Sequence, residues 1–301
     1  MKKILLIGGG GSIGQALTNE FISKNYYVTI IDSTPFKNQN KTKNLKYICN
    51  NFDSLDLNQL IKSHDVFFYL LSRLLPGDDN LDKFYLDISS YIRFIKVFSN
   101  HEDKKLILFS SGGAVYGDIN NRKIKEFDLL QPKSLYGQLK KILESISEIN
   151  NSISSSKIYT LRVSNAYGDF LKLKRNHGII STIIYASYND KKVQVWGDGK
   201  NVKDYIHNED IASACTKMID YHGSAFQMNL STGIGSSINE IIDLVNKTRK
   251  SPLDVEYVDK KSFDICYSVL CNSLISKELN WKPKMTILSG INLLSKSIEV
   301  Y

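Results

Sequence analysis

The chain has 301 residues, of which 42% are hydrophobic and 23% are charged, and its formal net charge is +8 at pH 7. At this length it can bury a large core, as one domain or as two intimate ones. No apolar run reaches the ~20 residues that a membrane-spanning helix needs. The lysines are dispersed, so the composition also argues against a nucleic-acid interface.

The N-terminus and the cysteines bear on whether the protein is secreted or stays in the cytoplasm. The opening "MKKILLIGGG" is basic and then apolar, but its apolar part is too short for a signal peptide and continues into glycines. The four cysteines form no C-x-x-C pattern. Without a secretion signal they are expected to be reduced thiols, mostly in the core. The sequence therefore predicts a cytoplasmic protein with no membrane insertion.

Short apolar runs alternate with helical patterns through the first half of the chain. Strands are predicted at residues 3–7, 27–31, 46–49, 65–71, 105–109 and 158–163. Helices are predicted near residues 12–24, 55–62, 80–99 and 134–150. Most of the strand runs are continuously apolar, as in parallel strands that are covered on both faces. The alternation predicts a Rossmann-type, doubly wound α/β sheet.

The pattern becomes less regular after residue 168. The expected elements are helices near 178–189, 208–221, 237–247 and 286–299, and strands near 226–230 and 253–258. The segment "VQVWGDG" (193–199) lies between the first two of these helices. We predict a Rossmann domain over residues 1–168 and a smaller α/β lobe that makes up most of residues 169–301. Segments near 204–231 are expected to return to the first domain.

A glycine-rich turn follows the first predicted strand and opens the first predicted helix. In "ILLIGGGGSIGQAL", the spacing G-x-x-G-x-x-G is formed by Gly8, Gly11 and Gly14. Glycines in this position allow a tight turn and let a pyrophosphate approach the helix N-terminus. At the end of the second strand, Asp32 could bond the ribose hydroxyls of NAD and repel the extra phosphate of NADP. NAD is therefore the predicted cofactor.

A tyrosine and a lysine lie four residues apart in "SLYGQLKK". Tyr136 and Lys140 are therefore neighbours on one face of the predicted helix. With 17 tyrosines in a lysine-rich chain, this spacing is expected by chance and identifies no site without further motifs.

Those motifs are present in a fixed order along the chain. They are "FSSGGAVYGD" (109–118), "QPKSLYGQLKKILE" (131–144), "LRVSNAYGD" (161–169), "WGDGKNVKDYIHNEDIASA" (196–214), "MNLSTGIGSSINEI" (228–241) and "ELNWKP" (278–283). Together with the glycine spacing, they resemble the extended short-chain dehydrogenase/reductases, in particular the NAD-dependent sugar epimerase/dehydratase family. The resemblance extends from residue 4 to about residue 290.

The resemblance implies an activity and a catalytic pair. It implies an NAD-dependent nucleotide-sugar 4-epimerase that passes a hydride transiently to NAD through a 4-keto intermediate. Tyr136 would exchange the proton of the sugar hydroxyl, and Lys140 would favour its phenolate and reach the nicotinamide ribose. An NAD(P)H-dependent 4-keto-sugar reductase shares this pair and remains an alternative. A nonenzymatic dinucleotide-sensing protein is a second alternative.

The resemblance also implies binding residues and an assembly. The cofactor set is Gly8, Gly11, Ser12, Ile13, Gly14, Asp32, Leu71, Tyr136 and Lys140. The substrate set for a nucleotide-diphosphate sugar is Ser111, Asn165, Lys203, Lys261 and Ser268. The small Ser268 would leave room for an N-acetyl group on the sugar, unless a register shift puts Tyr267 there. The helices at 80–99 and 134–150 would pair across a two-fold axis in a homodimer.

Several positions depart from the family pattern. The catalytic serine or threonine aligns with Gly112, so Ser111 is the nearest candidate for that role. The segment lacks the Asp-Glu pair of the dehydratases, which argues against a 4,6-dehydratase. Two arginines that grip a diphosphate are replaced by Lys203 and Lys261, which keep the charge but not the bidentate geometry. The histidines show no metal-ligand spacing, so we expect no metal site.

Overall fold

The computed structural model describes residues 1–34, 43–119, 121–168, 178–248, 252–259 and 265–299. In chain order, the strands are β1 (Lys3–Ile7), β2 (Tyr27–Asp32), β3 (Leu45–Cys49), β4 (Val66–Tyr69), β5 (Lys105–Ser111), β6 (Lys157–Val163), β7 (Asn165–Tyr167), β8 (Val193–Trp196), β9 (Val202–His207), β10 (Gln227–Leu230), β11 (Gly235–Ser237), β12 (Val255–Val258) and β13 (Tyr267–Ser268). The helices are α1 (Ser12–Ser23), α2 (Leu57–Ser63), α3 (Leu81–Phe98), α4 (Gly112–Val115), α5 (Leu135–Ile153), α6 (Ile179–Tyr188), α7 (Asn208–Met218), α8 (Ile238–Lys247), α9 (Ser273–Leu279) and α10 (Ile287–Glu299).

The central feature is a seven-stranded parallel sheet. Its strand order is β10-β6-β5-β4-β1-β2-β3, and each neighbouring pair runs parallel. The order reverses direction at β1, which lies in the interior between β4 and β2, as in a doubly wound fold. The predicted Rossmann-type sheet is therefore confirmed.

Both faces of this sheet are buried, which explains why its strands are continuously apolar. In β1, Ile4 and Leu6 belong to one core together with residues of α1 and α7. Leu5 and Ile7 point to the opposite face and belong to the core that α2, α3 and α5 cover. Successive side chains of one strand thus fill two different cores, because side chains alternate across a strand.

The C-terminal half builds a smaller lobe around two short sheets. One contains β11, β9 and β13 with β7 paired to β9, and the other pairs β12 with β8. Helices α6, α8 and α10 cover the lobe's own apolar core. Two later segments pack in the first half instead: β10 extends the large sheet beside β6, and α7 packs on α1. The division of the chain at residue 168 stays a prediction.

Strands β7, β9, β11 and β13 were not predicted from the sequence. Three of them, β7, β11 and β13, have three residues or fewer, which is too short for a periodic pattern to appear. They nevertheless matter for the site, because β7, β9 and β13 bring distant parts of the chain together.

Candidate functional site

The glycine loop between β1 and α1 contains two glycines that the fold itself requires. Gly8 has a φ of 76°, and a Cβ there would lie 2.6 Å from the Cα of Leu71. A Cβ on Gly14 would overlap the carbonyl of Gly9. These glycines therefore let the loop lie directly against the end of β4 and let α1 begin close to the loop.

Gly11 differs from them, since no atom lies within 4 Å of the position its Cβ would take. It is the N-cap of α1 and makes no side-chain capping hydrogen bond. The first backbone N–H groups of a helix have no partner within the helix and attract anions. The open space beside Gly11 is therefore a cradle that a side chain would fill and that a phosphate could occupy.

The two residues after Gly11 are held by other parts of the chain. The side-chain amide of Asn208, at the start of α7, donates to Ser12 Oγ at 2.6 Å. Ile13 is half-buried and packs against the core on the α1 side of the sheet. The sequence analysis did not identify Asn208, because the contact joins residues that are 196 positions apart.

Asp32 lies at the end of β2 and closes the glycine loop from the side. One carboxylate oxygen accepts the N–H of Gly10 at 2.9 Å, and the other accepts both the N–H and the hydroxyl of Thr34 at 2.9 and 2.6 Å. A Cβ on Gly10 would lie 2.7 Å from the Asp32 carboxyl carbon. The negative charge is therefore fixed at the lip of the loop, where a dinucleotide's adenosine ribose is expected.

Tyr136 and Lys140 lie on the first turns of α5. Ser134 caps this helix by accepting the N–H of Gly137 at 3.1 Å. The Lys140 ammonium lies 5.5 Å from the centre of the Tyr136 ring and donates to the carbonyl of Phe109 at 3.2 Å. Phe109 belongs to β5, so the pair is anchored at the carboxyl end of a central strand.

Burial shifts the titration of both residues in opposite directions. It raises the pKa of the Tyr136 phenol to about 12, while a hydrogen bond with Ser111 acts to lower it. Burial also lowers the pKa of the Lys140 ammonium to about 8, against the charges of Asp87 and Glu144. Burial disfavours the charged form of each group, which is the phenolate for Tyr136 and the ammonium for Lys140.

The structure distinguishes the two serines at the end of β5. Ser111 is half-buried and is hydrogen-bonded to Tyr136. Ser110 is buried and donates to Glu144 instead. Ser111 is therefore the serine that faces the tyrosine.

At Gly112 the space that a side chain would need is already filled. A Cβ there would overlap the side chain of Leu270 and lie 3.1 Å from the carbonyl of Arg162. Leu270 is fully buried and packs with Val115, Tyr116 and Ile124. A side chain at position 112 would therefore point into the apolar cluster around Leu270.

A buried polar network supports this end of α5. Glu144 accepts two hydrogen bonds from the Arg162 guanidinium, at 2.7 and 3.0 Å. Arg162 also donates to the hydroxyl of Tyr116 at 2.8 Å, and that hydroxyl donates to Asn229 at 2.7 Å. The network joins α5, β6 and β10 below the Tyr136–Lys140 pair.

Three predicted substrate residues come together through strand pairing. Asn165 starts β7 and donates from its side-chain amide to the backbone carbonyl of Asp204 on β9 at 2.9 Å. Its side-chain oxygen lies 3.3 Å from the position of a Cβ on Gly113. Lys203 on β9 and Ser268 on β13 are register partners. Lys261 lies outside the described residues.

A cluster around Asp87 was not identified from the sequence. Asp87 is on α3 and is only 2% exposed. It forms an ion pair with Arg73 at 3.0 Å, and Arg73 also contacts Asp53. The available signal was a single acid on the otherwise apolar inner face of "FYLDISSYI".

The part of the chain that the structure describes contains neither a cluster of metal ligands nor a membrane-spanning helix. Over these residues, no group of three or more His, Cys, Asp or Glu side chains could hold a metal ion. Within the same ranges, no helix has the length and apolar character required to cross a membrane.

Comparison with known proteins places this geometry in context. The profile of the NAD-dependent epimerase/dehydratase family matches residues 4–230. A putative UDP-glucose 4-epimerase of Methanocaldococcus jannaschii is 26% identical over 96% of this chain and 95% of its own length. A dTDP-4-dehydro-6-deoxyglucose reductase of Escherichia coli is 24% identical over 98% and 97% of the two chains.

A solved structure supports the same fold. The UDP-glucuronic acid 4-epimerase of Bacillus cereus, in complex with UDP-glucuronic acid and NAD, superposes with a TM-score of 0.90. The two chains are 19% identical, and the match covers 99% of this chain and 100% of the other. Because the profile covers most of the chain, the protein belongs to the NAD-dependent epimerase/dehydratase family of enzymes.

Proposed function

We propose that the protein is an NAD-dependent nucleotide-sugar 4-epimerase, with UDP-sugars as its first candidate substrates. The observation that carries the proposal is the cluster of Ser111, Tyr136 and Lys140 at the carboxyl end of β5. The glycine loop follows the carboxyl end of β1, on the same edge of the parallel sheet and only two strands away. A cofactor bound on the loop and a sugar beside Tyr136 would meet at this edge.

The residues fit this cofactor. The open face of Gly11 offers room for a pyrophosphate, and Asp32 offers a carboxylate to the ribose hydroxyls. Leu71 brings the backbone after β4 against Gly8 and so forms the floor of the same cradle. Bound NAD would supply the hydride acceptor that a 4-epimerase needs.

The chain's own residues would handle the proton. Tyr136 would accept the proton of the sugar 4-hydroxyl and later return it, as a general base and then a general acid. The Lys140 charge favours the phenolate form that this requires. Ser111, already bonded to the Tyr136 hydroxyl, would hold the same sugar oxygen in place.

Epimerisation also needs a sugar that can turn while its nucleotide stays bound. We assign binding of the nucleotide to the substrate lobe, in which Lys203 and Lys261 would provide positive charges for the diphosphate. Asn165, whose side chain lies beside Gly113 just after β5, would contact the sugar. Ser268 beside Lys203 is small, so N-acetylated hexoses are expected among the accepted substrates.

A 4-keto-sugar reductase is the second candidate. The similarity to the dTDP-4-dehydro-6-deoxyglucose reductase extends over nearly the whole of both chains, and a reductase uses the same tyrosine and lysine. Incubation with UDP-, dTDP-, CDP- and GDP-sugars, with and without NAD(P)H, separates the two. Formation of a 4-epimer without added reductant supports the epimerase, whereas consumption of NAD(P)H by a 4-keto sugar supports the reductase.

The same helices that carry the site present apolar side chains outward. On α3 these include Leu81, Tyr85 and Ile92, and on α5 they are Ile149 and Ile153. We propose that two copies pair through α3 and α5 as a homodimer. Light scattering at micromolar concentration should give twice the chain mass, and a clean monomer of 34.2 kDa would contradict the proposal.

A further inference from the structure

Asp87 holds the segment that follows Leu71. Its carboxylate accepts the backbone N–H groups of Arg73 and Leu74 at 2.8 and 3.1 Å, and it accepts the Arg73 guanidinium at 3.0 Å. The residue comes from the second turn of α3. One buried carboxylate therefore ties the chain after β4 to this helix, next to the point where Leu71 lies against Gly8.

The positive charge next to Asp87 is shared. Arg73 also forms an ion pair with Asp53 of the short 3₁₀ helix Phe52–Ser54, and Ser90 donates to Asp53 at 2.7 Å. Arg73 thus contacts both carboxylates, and Asp53 also lies 4.0 Å from the guanidinium of Arg93.

This cluster lies against the catalytic helix. Helix α3 packs along α5, and one turn after Asp87 the hydroxyl of Tyr91 is 2.6 Å from Ser147 on α5. Phe84 of α3 shares an apolar core with Leu139 and Leu143 of α5. Asp87 and Lys140 are both almost fully buried, at 2% and 4% exposure.

We propose that Asp87 is a positioning residue for the Tyr136–Lys140 pair, which compensates the charge of the buried Lys140 ammonium while it anchors the segment after Leu71. The proposal rests on the roles assigned to Tyr136 and Lys140 above. Asp87 acts through Lys140 and through the loop, and it touches neither sugar nor cofactor.

The charges that face Lys140 come from several elements. Its own helix contributes Tyr136 and Glu144, and β5 contributes the neutral carbonyl of Phe109. Glu144 is matched by Arg162 from β6 at 2.7 Å, whereas Asp87 from α3 shares Arg73 with Asp53.

The sign of the effect follows from these charges. Burial lowers the pKa of Lys140 to about 8, and among the charges that oppose this shift Asp87 has the largest effect. Removing that charge lowers the pKa of Lys140 further, so the ammonium is lost at a more acid pH. Removing Arg73 leaves Asp87 less neutralised and raises the pKa of Lys140.

The test is an NMR titration of protein labelled with [ε-¹³C]lysine, without substrate. The Lys140 signal is assigned by its loss in Lys140→Met. We expect Asp87→Asn to move its titration to lower pH by about one unit and Arg73→Met to move it to higher pH. Asp53→Asn is the matched control, because Asp53 contacts the same arginine while no effect of its charge on Lys140 is found. Its shift should be smaller than that of Asp87→Asn and downward, if any, because Arg73 would then neutralise Asp87 more fully.

A second lysine serves as an internal reference in every spectrum. Burial lowers the pKa of Lys105 to about 8 as well, but this side chain donates to the carbonyls of Met218 and Ile219, at the other end of β5. Its titration should not move in any of these variants. Unchanged Lys140 titration in both Asp87→Asn and Arg73→Met would overturn the proposal.

These outcomes are independent of the substrate. If the variants leave the Lys140 titration unchanged while the protein epimerises a nucleotide sugar, only the proposed role of Asp87 is refuted. If the variants shift the Lys140 titration as predicted but the protein epimerises no nucleotide sugar, the proposed function is refuted, and the effect of the Asp87 charge on Lys140 still holds.

Discussion

The cofactor end and the substrate end of the candidate site are built in different ways. At the cofactor end, Gly8, Gly14 and Asp32 act mainly through backbone geometry within the first strands of the sheet. At the substrate end, Lys203 and Ser268 meet only because β9 and β13 pair across a long stretch of chain. The first end is specified by local spacing, and the second depends on tertiary packing.

The two ends also differ in how well they match the family pattern. The glycine spacing and the acid after β2 are intact. At the substrate end, the resemblance predicts that Gly112 stands in the serine position and that Lys203 and Lys261 replace two arginines. The predicted departures from the family pattern therefore lie at the substrate end of the site.

The largest effect on turnover is expected from Tyr136, which lies with Lys140 between the two ends of the site. Tyr136→Phe removes one oxygen and should reduce turnover by a factor of about 10²–10⁴, the usual contribution of a general acid–base group. NAD binding, measured by fluorescence titration, should remain. If the phenylalanine variant keeps more than about a tenth of the turnover, Tyr136 is not the acid–base group.

The two classes of glycine at the cofactor end predict two different defects. Gly14→Ala should lower the free energy of unfolding by about 1–3 kcal/mol, because the new methyl group overlaps the Gly9 carbonyl. Gly11→Ala should leave thermal unfolding unchanged, since its Cβ meets no protein atom.

Gly11→Ala should instead weaken NAD binding about tenfold, because its methyl group would occupy the open space where the pyrophosphate approaches the helix N-terminus. Thermal unfolding and NAD titration of both variants separate the two effects. Unchanged NAD affinity in Gly11→Ala would mean that the pyrophosphate lies elsewhere.

Asp32 should set the choice between the two dinucleotides. Its carboxylate would repel a 2′-phosphate, so NAD should bind at least about tenfold more tightly than NADP. Asp32→Ser, which keeps a hydrogen-bonding group without the charge, should narrow this ratio. Equal affinities of the unaltered protein for NAD and NADP would refute the role of Asp32.

The smallest predicted effect concerns the substrate end. Lys203→Met should raise KM several-fold with little change in kcat, because a diphosphate contact is present in both the ground state and the transition state. The exposed Lys200, whose side chain is 79% accessible, provides the matched control in Lys200→Met. If both variants keep the original KM, the diphosphate is not held at Lys203.

The sequence predicted the sheet because its strands are buried on both faces and are separated by helices. It also predicted that Asp32 lies at the end of the second strand, as the structure has it in β2. It missed Asp87 and Asn208, whose partners are set by packing rather than spacing. For the same reason it could not show that Leu270 fills the space at Gly112.

The central claim is that this protein transfers the hydride from C4 of a nucleotide sugar to NAD and then returns the same hydride to C4. Its most direct test uses an accepted UDP-hexose that carries deuterium at C4, incubated with the protein and NAD alone. The account predicts a 4-epimer that retains the deuterium at C4, with no net formation of NADH. Loss of the label to solvent, or no epimer unless NAD(P)H and a 4-keto sugar are supplied, would contradict it.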